Sequence, residues 1–129
     1  TINVCHKGAT VGYSATWTAP RDSRIAIVAM GYADGYPVSA SNKCQVAIKG
    51  QYFNVVGRVS MDTLAVDITN SVADIAIGDQ VELWGASISV STVAMQSDTI
   101  AYELLTRVSA RRSSYIYQGA KKHRALLSE

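Results

Sequence analysis

The sequence has 129 residues, which suits one domain and leaves little room for a second. Hydrophobic residues make up 48% of the chain and charged residues 17%, so the composition excludes a disordered tail and indicates a globular protein with a substantial core. The formal net charge of +2 is too small to indicate a nucleic-acid-binding surface.

The sequence carries no membrane, secretory or metal-binding signal. The longest purely apolar run, residues 25–30, is far shorter than the roughly 20 residues that a membrane-spanning helix needs, and no signal peptide stands at the start. Cys5 and Cys44 lack a disulfide framework, which favours free thiols in a reducing cytosol. His6 and His123 lie too far apart in sequence to complete a zinc site. We therefore predict a cytoplasmic protein without a metal.

The first two-thirds of the chain shows β-strand signals. Residues 25–29 form an apolar run of the kind found in strands that are buried on both faces. Residues 45–49 and 52–56 flank Gly50 and Gln51, which predicts a hairpin with its turn at that pair. Leu64, Val66 and Ile68 alternate with Ala65 and Asp67, which predicts a strand with one buried face. After a turn-rich connection, Val81 and Leu83 alternate with Glu82 and Trp84, which predicts a further strand with Trp84 on the opposite face from Val81 and Leu83.

The last third changes to a helical period. Ser91 is predicted to cap a short helix that ends at Gln96, because a serine side chain can accept from the free amides of a first helical turn. Apolar residues recur at helical spacing over residues 100–108, with Thr99 as a candidate cap, and residues 114–117 suggest a last strand. The fold class predicted is mainly β: a single compact, β-barrel-like domain with one or two short helices near the C-terminus.

Three glycine-containing clusters stand where predicted strands begin or end. They are VGYSATWTA at residues 11–19, GYADGYP at residues 31–37 and VGRVSMD at residues 56–62. Glycine permits tight turns and close approach of a ligand to the backbone, and loops at strand ends commonly build binding sites. A tyrosine beside a turn glycine is more often only packing, so each cluster alone would be weak evidence.

In this order and spacing, the three clusters closely resemble the C-terminal domain of alanine racemases. The segment IAYELL at residues 100–105 matches the same family, and the resemblance extends over about residues 7–117. It implies a protomer whose N-terminal α/β barrel, absent from residues 1–129, holds pyridoxal 5′-phosphate (PLP) on a lysine. It also implies a head-to-tail homodimer, in which each active site combines one barrel with the β domain of the second protomer.

The resemblance implies interconversion of L- and D-alanine, which supplies D-alanine for peptidoglycan. PLP acts as an electron sink that makes the α-proton of an amino acid removable, and two bases must then face opposite sides of that carbon. In the family these bases are the PLP lysine and a tyrosine of the β domain, which Tyr13 matches. An unperturbed tyrosine has a pKa near 10, so only about a thousandth is phenolate at pH 7 and its neighbours must favour the anion.

Further residues match family positions around the substrate and the cofactor. Tyr102 resembles a tyrosine that binds the PLP phosphate, and Met61 resembles a residue whose backbone amide faces the substrate carboxylate. Tyr32, Arg58 and Asp62 resemble residues that line the substrate entryway. Purely structural roles stay open for these side chains: core packing for Tyr102 and Met61, and local turn hydrogen bonds for Tyr32 and Asp62. Asp34, between an alanine and a glycine, suits a turn that is closed by its own side chain. We expect Tyr13, Tyr32, Met61 and Tyr102 to share one exposed apolar surface.

The sequence departs from the family at one entryway position and in its lysines. Val38 stands where the family often has arginine, which puts the polarity of the entryway in doubt. None of the lysines stands in the family's PLP-binding context; they are Lys7, Lys43, Lys49, Lys121 and Lys122. Two alternative functions stay open: a stand-alone β module for binding or dimerisation without catalysis, and a PLP racemase of serine or of basic amino acids.

Overall fold

The structure is a computed structural model that describes residues 1–11 and 16–108 and, beyond them, only the backbone of four two-residue strands. The main sheet contains β1 (Ile2–Cys5), β4 (Ser23–Val28), β5 (Gln45–Ile48), β6 (Gln51–Val56), β7 (Leu64–Asp67) and β8 (Val81–Glu82). A separate hairpin contains β2 (Thr10–Val11) and β3 (Trp17–Thr18), and the helices are α1 (Val90–Gln96) and α2 (Ala101–Arg107). The last strands are β9 (Ser113–Ser114), β10 (Tyr117–Gln118), β11 (Lys121–Lys122) and β12 (Leu126–Leu127).

The six strands of the main sheet pair antiparallel in the order β1-β4-β7-β6-β5-β8. Residues of the two outer strands, including Ile2 of β1 and Val81 of β8, line one small cavity together with Val28 and Ile48. The sheet is therefore curled so that its edges face each other, but within the described residues β1 and β8 do not pair. The predicted mainly β class and the two short helices are confirmed, and the barrel is open.

The two faces of the sheet bury different clusters. The larger core contains Val46, Val66 and Ile68, all fully buried, and Tyr36 stacks on Trp84 within it, with ring centroids 6.3 Å apart and planes 13° from parallel. The smaller cluster contains Ile25, Val56 and Ala65, against which Val11 and Trp17 of the β2–β3 hairpin pack. β4, next to the edge strand β1, has buried residues on both faces, as predicted for residues 25–29. β7 was predicted to have one buried face, but Ala65 on its other face is buried too, because it belongs to the smaller cluster.

Two strand details differ from the sequence-based prediction. Ile48 pairs with Gln51, so the hairpin turn is Lys49-Gly50 and not Gly50-Gln51. Both turn residues have positive φ, 49° and 78°, which suits the right-handed twist of the flanking strands. The strand at residues 81–84 has only two residues in the sheet, and Trp84, predicted to face outward, is buried because its ring stacks on Tyr36.

The caps of the two helices and the bounds of the last strands differ from the sequence-based prediction. Ser89, and not Ser91, caps α1, with its Oγ accepting from the Thr92 N–H at 3.0 Å. Thr99 does not cap α2 with its side chain, because its Oγ1 donates to Glu103 Oε2 at 2.7 Å. The strand predicted at residues 114–117 is two separate strands, since β9 pairs with β12 and β10 with β11.

The cysteines agree with the expectation of free thiols. Cys5 and Cys44 are both free thiols, and Cys44 is buried. In the part of the chain that the structure describes, neither helix has the length and apolar character that crossing a membrane requires.

Candidate functional site

Two of the glycine-containing clusters dock against each other through their backbones. We call residues 31–36 the Gly31 turn and residues 57–63 the Arg58 loop. The Tyr32 N–H donates to the Ser60 carbonyl and the Ala33 N–H donates to the Met61 carbonyl, each at 3.0 Å. A β-carbon at Gly31 would overlap both carbonyl oxygens, so only glycine permits this approach. The structure therefore brings Tyr32 and Met61 together, and both side chains are exposed, at 41% and 53%.

The Gly31 turn is closed by its own acidic residue. Asp34, only 1% exposed, accepts from the Gly31 N–H through Oδ2 at 3.3 Å. The Gly35 N–H donates to the Tyr32 carbonyl at 3.2 Å, with Gly35 at a φ of 106° that side chains rarely adopt. The turn-closing role that the sequence favoured for Asp34 agrees with this geometry. The closed turn holds Tyr32 at the surface while Tyr36 enters the core.

The Arg58 loop presents its tip to solvent. Ser60 and Thr63 close the loop, because the Ser60 N–H donates to the Thr63 carbonyl at 3.0 Å and the Thr63 N–H donates to Ser60 Oγ at 3.2 Å. Val59 is fully buried and anchors the loop, whereas Arg58, Met61 and Asp62 are exposed. No described residue accepts a hydrogen bond from the Met61 N–H. The loop thus offers the Met61 N–H to a ligand as a backbone donor, and the same loop carries an exposed arginine.

Two residues that the sequence reading did not single out hold the Arg58 loop in place. Asn42 Oδ1 accepts from the Gly57 N–H at 2.7 Å, and Ser41 Oγ accepts from the Val59 N–H at 2.8 Å. Neither residue belongs to the clusters. A Ser-Asn pair after a predicted loop is too common to single out, and the positive φ of Asn42, 58°, becomes visible only in the structure.

Tyr13 lies outside the described residues, but the strands on either side of it are described. Residues 12–15 are not described, but Val11 and Trp17 pair in the β2–β3 hairpin. Asn42 Nδ2 donates to Thr16 Oγ1 at 3.3 Å. Through Asn42, Thr16 is joined to the Arg58 loop.

Helix α2 approaches the Gly31 turn with its C-terminal end. A β-carbon at Gly35 would lie 2.8 Å from the carbonyl carbon of Arg107 and would overlap its oxygen. Leu104 is buried, whereas Tyr102 is 75% exposed on the first turn of the helix, about 8 Å along the axis from Arg107. Ile100 and Leu105 are also exposed, although their helical spacing predicted a buried face. Tyr102 therefore stands on an exposed apolar helix surface, and the structure rules out core packing as its role.

Tyr36 and Cys44 form a buried polar pair behind the Gly31 turn. Burial raises the pKa of Tyr36 well above 10.0 and the pKa of Cys44 above 9.0. Cys44 Sγ lies 3.3 Å from Ser97 Oγ, whereas the Tyr36 hydroxyl makes no well-oriented hydrogen bond to a described residue. Both groups therefore stay protonated at neutral pH, and the second tyrosine of GYADGYP belongs to the core and not to the surface.

Two kinds of described residue bear on whether PLP could be held here, a phenol and the lysines. The Tyr102 hydroxyl donates to no described residue and is free to contact a phosphate. The described lysines do not suit covalent attachment of PLP here, since Lys43 pairs with Asp98 at 3.2 Å, Lys49 pairs with Asp79 at 3.3 Å, and Lys7 lies exposed in the turn after β1. Among residues 1–11 and 16–108, no three His, Cys, Asp or Glu side chains are arranged to hold a metal ion.

Comparison with known proteins shows that the chain is similar to alanine racemases. The family model described as alanine racemase, C-terminal domain, matches residues 1–116. The alanine racemase of Marinobacter nauticus is 50% identical over 111 residues, which are 86% of this chain and 31% of that protein. The chain thus spans about a third of the length of this relative.

Solved structures show the same similarity. The biosynthetic alanine racemase of Pseudomonas aeruginosa is 47% identical, with a TM-score of 0.81 over 86% of this chain and 31% of that one. The alanine racemase of Bartonella henselae, solved with covalently bound pyridoxal phosphate, is 35% identical, with a TM-score of 0.82 over 85% of this chain and 31% of that one. The described fold therefore corresponds to one domain of these proteins.

Proposed function

Because the chain belongs to the family of alanine racemase C-terminal domains, we propose that it forms one wall of the active site of a PLP-dependent racemase that interconverts L- and D-alanine. The observation that carries the proposal is the junction between the Gly31 turn and the Arg58 loop, at which Tyr32 and Met61 are exposed side by side. The remaining walls come from the N-terminal PLP-binding barrel of the second protomer in a homodimer.

Tyr13 moves the proton on one face of the α-carbon in this proposal. Racemisation requires a base on each face, and the second base is the PLP lysine of the barrel. PLP, when bound, supplies the electron sink that makes the α-proton acidic. The Tyr13 phenol exchanges that proton at its Oη. Because it can accept a proton only as the phenolate, cationic or hydrogen-bond-donating groups of the barrel must favour its anionic form.

The Arg58 loop orients the substrate in this proposal. The free Met61 N–H suits a carboxylate oxygen, because an unpaired backbone donor at a site that closes over a ligand needs an acceptor. Tyr32, Arg58 and Asp62 line the path by which the amino acid enters. Val38, half-buried two residues after the Gly31 turn, adds no charge to that path.

Tyr102 holds the phosphate of PLP in this proposal. A phenol hydroxyl donates well to an anionic oxygen, and the Tyr102 hydroxyl is exposed without a described acceptor. The exposed apolar residues near it, Ile100 and Leu105, become covered when the barrel of the second protomer packs on α2. An exposed apolar surface of this kind is typical of a domain without its partner. We place the enzyme in the cytoplasm, where D-alanine is made for peptidoglycan.

A chimera tests the proposal. This chain replaces the C-terminal domain of the Pseudomonas aeruginosa relative, and D-alanine formed from L-alanine is measured by chiral chromatography. We expect racemisation, and we expect the same chimera with Tyr13→Phe to have almost none. A chimera that folds, dimerises and binds PLP yet leaves L-alanine unchanged would overturn the proposal and favour a non-catalytic module.

The same chimera discriminates between substrates. L-serine and L-lysine are supplied in parallel with L-alanine, and kcat/KM is compared among the three. We expect alanine to be the preferred substrate. A higher kcat/KM for serine or lysine would favour the alternative racemase.

A further inference from the structure

Helix α2 and the Gly31 turn meet at Gly35 without room for a side chain. A β-carbon on Gly35 would lie 2.8 Å from the carbonyl carbon of Arg107 and 3.0 Å from Cα of Val108, and it would overlap the Arg107 oxygen. These are backbone atoms at the end of α2, so no side-chain rotation relieves the overlap. The contact therefore requires glycine for space, in addition to the φ of 106° that favours glycine here.

The Gly31 turn is held more firmly than the helix that meets it. The Asp34 carboxylate closes the turn on the Gly31 N–H, and Tyr36, at the end of the turn, is buried in the core. Gly31 has no free space toward the Arg58 loop, because a β-carbon there would overlap two carbonyl oxygens. Helix α2, by contrast, has a single buried residue, Leu104. An atom added between the two should therefore move the helix and not the turn.

Leu104 is the point about which α2 can tilt, because it is the residue that fixes the helix in the main core. Along the helix axis, Arg107 lies about 4.5 Å from Leu104 on one side and Tyr102 lies about 3 Å from it on the other. Relief of the overlap requires a displacement of about 1 Å at Arg107, since atoms in ordinary contact lie about 3.5 Å apart. The resulting tilt carries Tyr102 by about 0.7 Å in the opposite direction.

We propose that Gly35 is a positioning residue for Tyr102: because it carries no side chain, it sets the tilt of α2 and with it the place of the Tyr102 hydroxyl. This inference rests on the proposed function, in which that hydroxyl donates to the PLP phosphate. A hydrogen bond between two oxygens spans about 2.5–3.0 Å, so a shift of about 0.7 Å is enough to break it. Gly35 is itself buried, so its effect on the cofactor is indirect.

Gly35→Ala, in the full enzyme or the chimera, adds the β-carbon that α2 has no room for. Gly78→Ala is the matched control, because Gly78 has a similar φ of 95° but a β-carbon there meets no atom within 4 Å. The control therefore carries the backbone strain of an alanine at positive φ without the contact with a helix. Tyr102→Phe, alone and combined with Gly35→Ala, completes a double-mutant cycle, which measures whether the two residues act together.

We expect Gly35→Ala to weaken the affinity of the apoenzyme for PLP by about threefold to tenfold, the range that one lost hydrogen bond supports. In the Tyr102→Phe background, Gly35→Ala should weaken PLP binding by less than about twofold, since the hydroxyl that it displaces is already absent. Gly78→Ala should keep the PLP affinity of the unchanged enzyme. At saturating PLP, Gly35→Ala should keep the KM for alanine, because the Gly31 turn and the Arg58 loop do not move.

The inference alone is overturned if Tyr102→Phe weakens PLP binding while Gly35→Ala binds PLP as well as Gly78→Ala does. It is also overturned if Gly35→Ala weakens PLP binding equally with and without the Tyr102 hydroxyl, because Gly35 then acts through another group. If Gly35→Ala does not fold, Gly35→Asn is compared with Gly78→Asn by the same criteria, since asparagine brings the same β-carbon and tolerates a positive φ. Unaltered PLP affinity of Tyr102→Phe would instead refute the proposed role of Tyr102, and the inference with it.

Discussion

Gly31 lies so close to Met61 that a β-carbon on the glycine would overlap the methionine carbonyl oxygen. The φ of Gly31 is −144°, which any residue can adopt, so the requirement for glycine here is one of space and not of backbone conformation. The contact aligns the Tyr32 and Ala33 N–H groups with the Ser60 and Met61 carbonyls. The first glycine of GYADGYP therefore sets how the exposed Tyr32 and Met61 side chains lie relative to each other.

Gly31→Ala should destabilise the domain by about 1–3 kcal/mol, because the added methyl group forces the Gly31 turn away from the Arg58 loop. The free energy of unfolding is measured by urea denaturation. Gly50→Asn is the control, since a β-carbon there meets no atom within 4 Å and asparagine tolerates the positive φ. Equal stability of Gly31→Ala and the unchanged chain would contradict the docking of the two segments.

The isolated chain should neither racemise alanine nor bind PLP covalently. Covalent attachment needs a lysine beside a phosphate-binding pocket, and the described Lys43 and Lys49 side chains are paired with carboxylates at the surface. Incubation with PLP, reduction with borohydride and mass mapping detect any modified lysine. Stoichiometric modification of one lysine, at PLP concentrations that leave the others untouched, would show that this chain holds the cofactor itself.

Tyr13→Phe, in the full enzyme or the chimera, should abolish most racemisation in both directions, because each direction needs a proton transfer on both faces of the α-carbon. One enantiomer should still exchange its α-hydrogen with deuterated solvent, since the lysine continues to serve its own face. NMR of the α-position measures this exchange for each enantiomer separately. Retention of racemisation, or equal loss of exchange from both enantiomers, would argue against Tyr13 as one of the two bases.

Tyr102→Phe should leave the stability of the isolated chain almost unchanged, because the Tyr102 side chain is 75% exposed and its hydroxyl has no described partner. In the full enzyme, the same change should weaken PLP binding by about tenfold, the effect of losing one hydrogen bond to a charged group. Thermal denaturation tests the first effect and PLP titration of the apoenzyme the second. Unaltered PLP affinity would remove Tyr102 from the phosphate site.

Tyr36→Phe should make the domain less sensitive to alkaline pH. Burial raises the pKa of Tyr36 in the folded chain above the 10.0 of the unfolded chain, so the folded state keeps a proton that the unfolded state loses. The stability that this shift contributes is fully present below pH 10 and is lost as the pH rises above it. Burial also raises the pKa of Cys44 from 9.0, so the Cys44 thiol likewise lowers the stability of the folded chain as the pH rises above about 9.

The free energy of unfolding, measured between pH 7 and pH 11, checks this prediction. At pH 7, Tyr36→Phe should change the free energy of unfolding by less than about 1 kcal/mol, since the hydroxyl has no well-oriented hydrogen bond to lose. Above pH 10, the free energy of unfolding should fall less in the variant than in the unchanged chain. A fall that is as steep in the variant as in the unchanged chain would show that Tyr36 does not cause it.

Local pattern was sufficient where a residue's role depends on its neighbours in the chain. The run at residues 25–29 predicted a strand buried on both faces, because side-chain period follows directly from strand geometry. Alternation over residues 64–68 predicted the strand β7 but not the burial of Ala65 on its second face. Asp34 was expected to close its own turn, which involves only the three residues before it. The clusters were also enough to relate the chain to a family.

Only the tertiary structure decided the contacts between segments distant in sequence. Asn42 reaches Thr16 across 26 residues and Gly57 across 15, and no periodicity in the sequence marks either contact. Trp84 was expected to face solvent by alternation, but the sheet is curled and Tyr36 covers the tryptophan ring. Sequence pattern reports the faces of each strand and the chemistry of each turn, whereas the neighbours of a side chain depend on how the curled sheet brings its loops together.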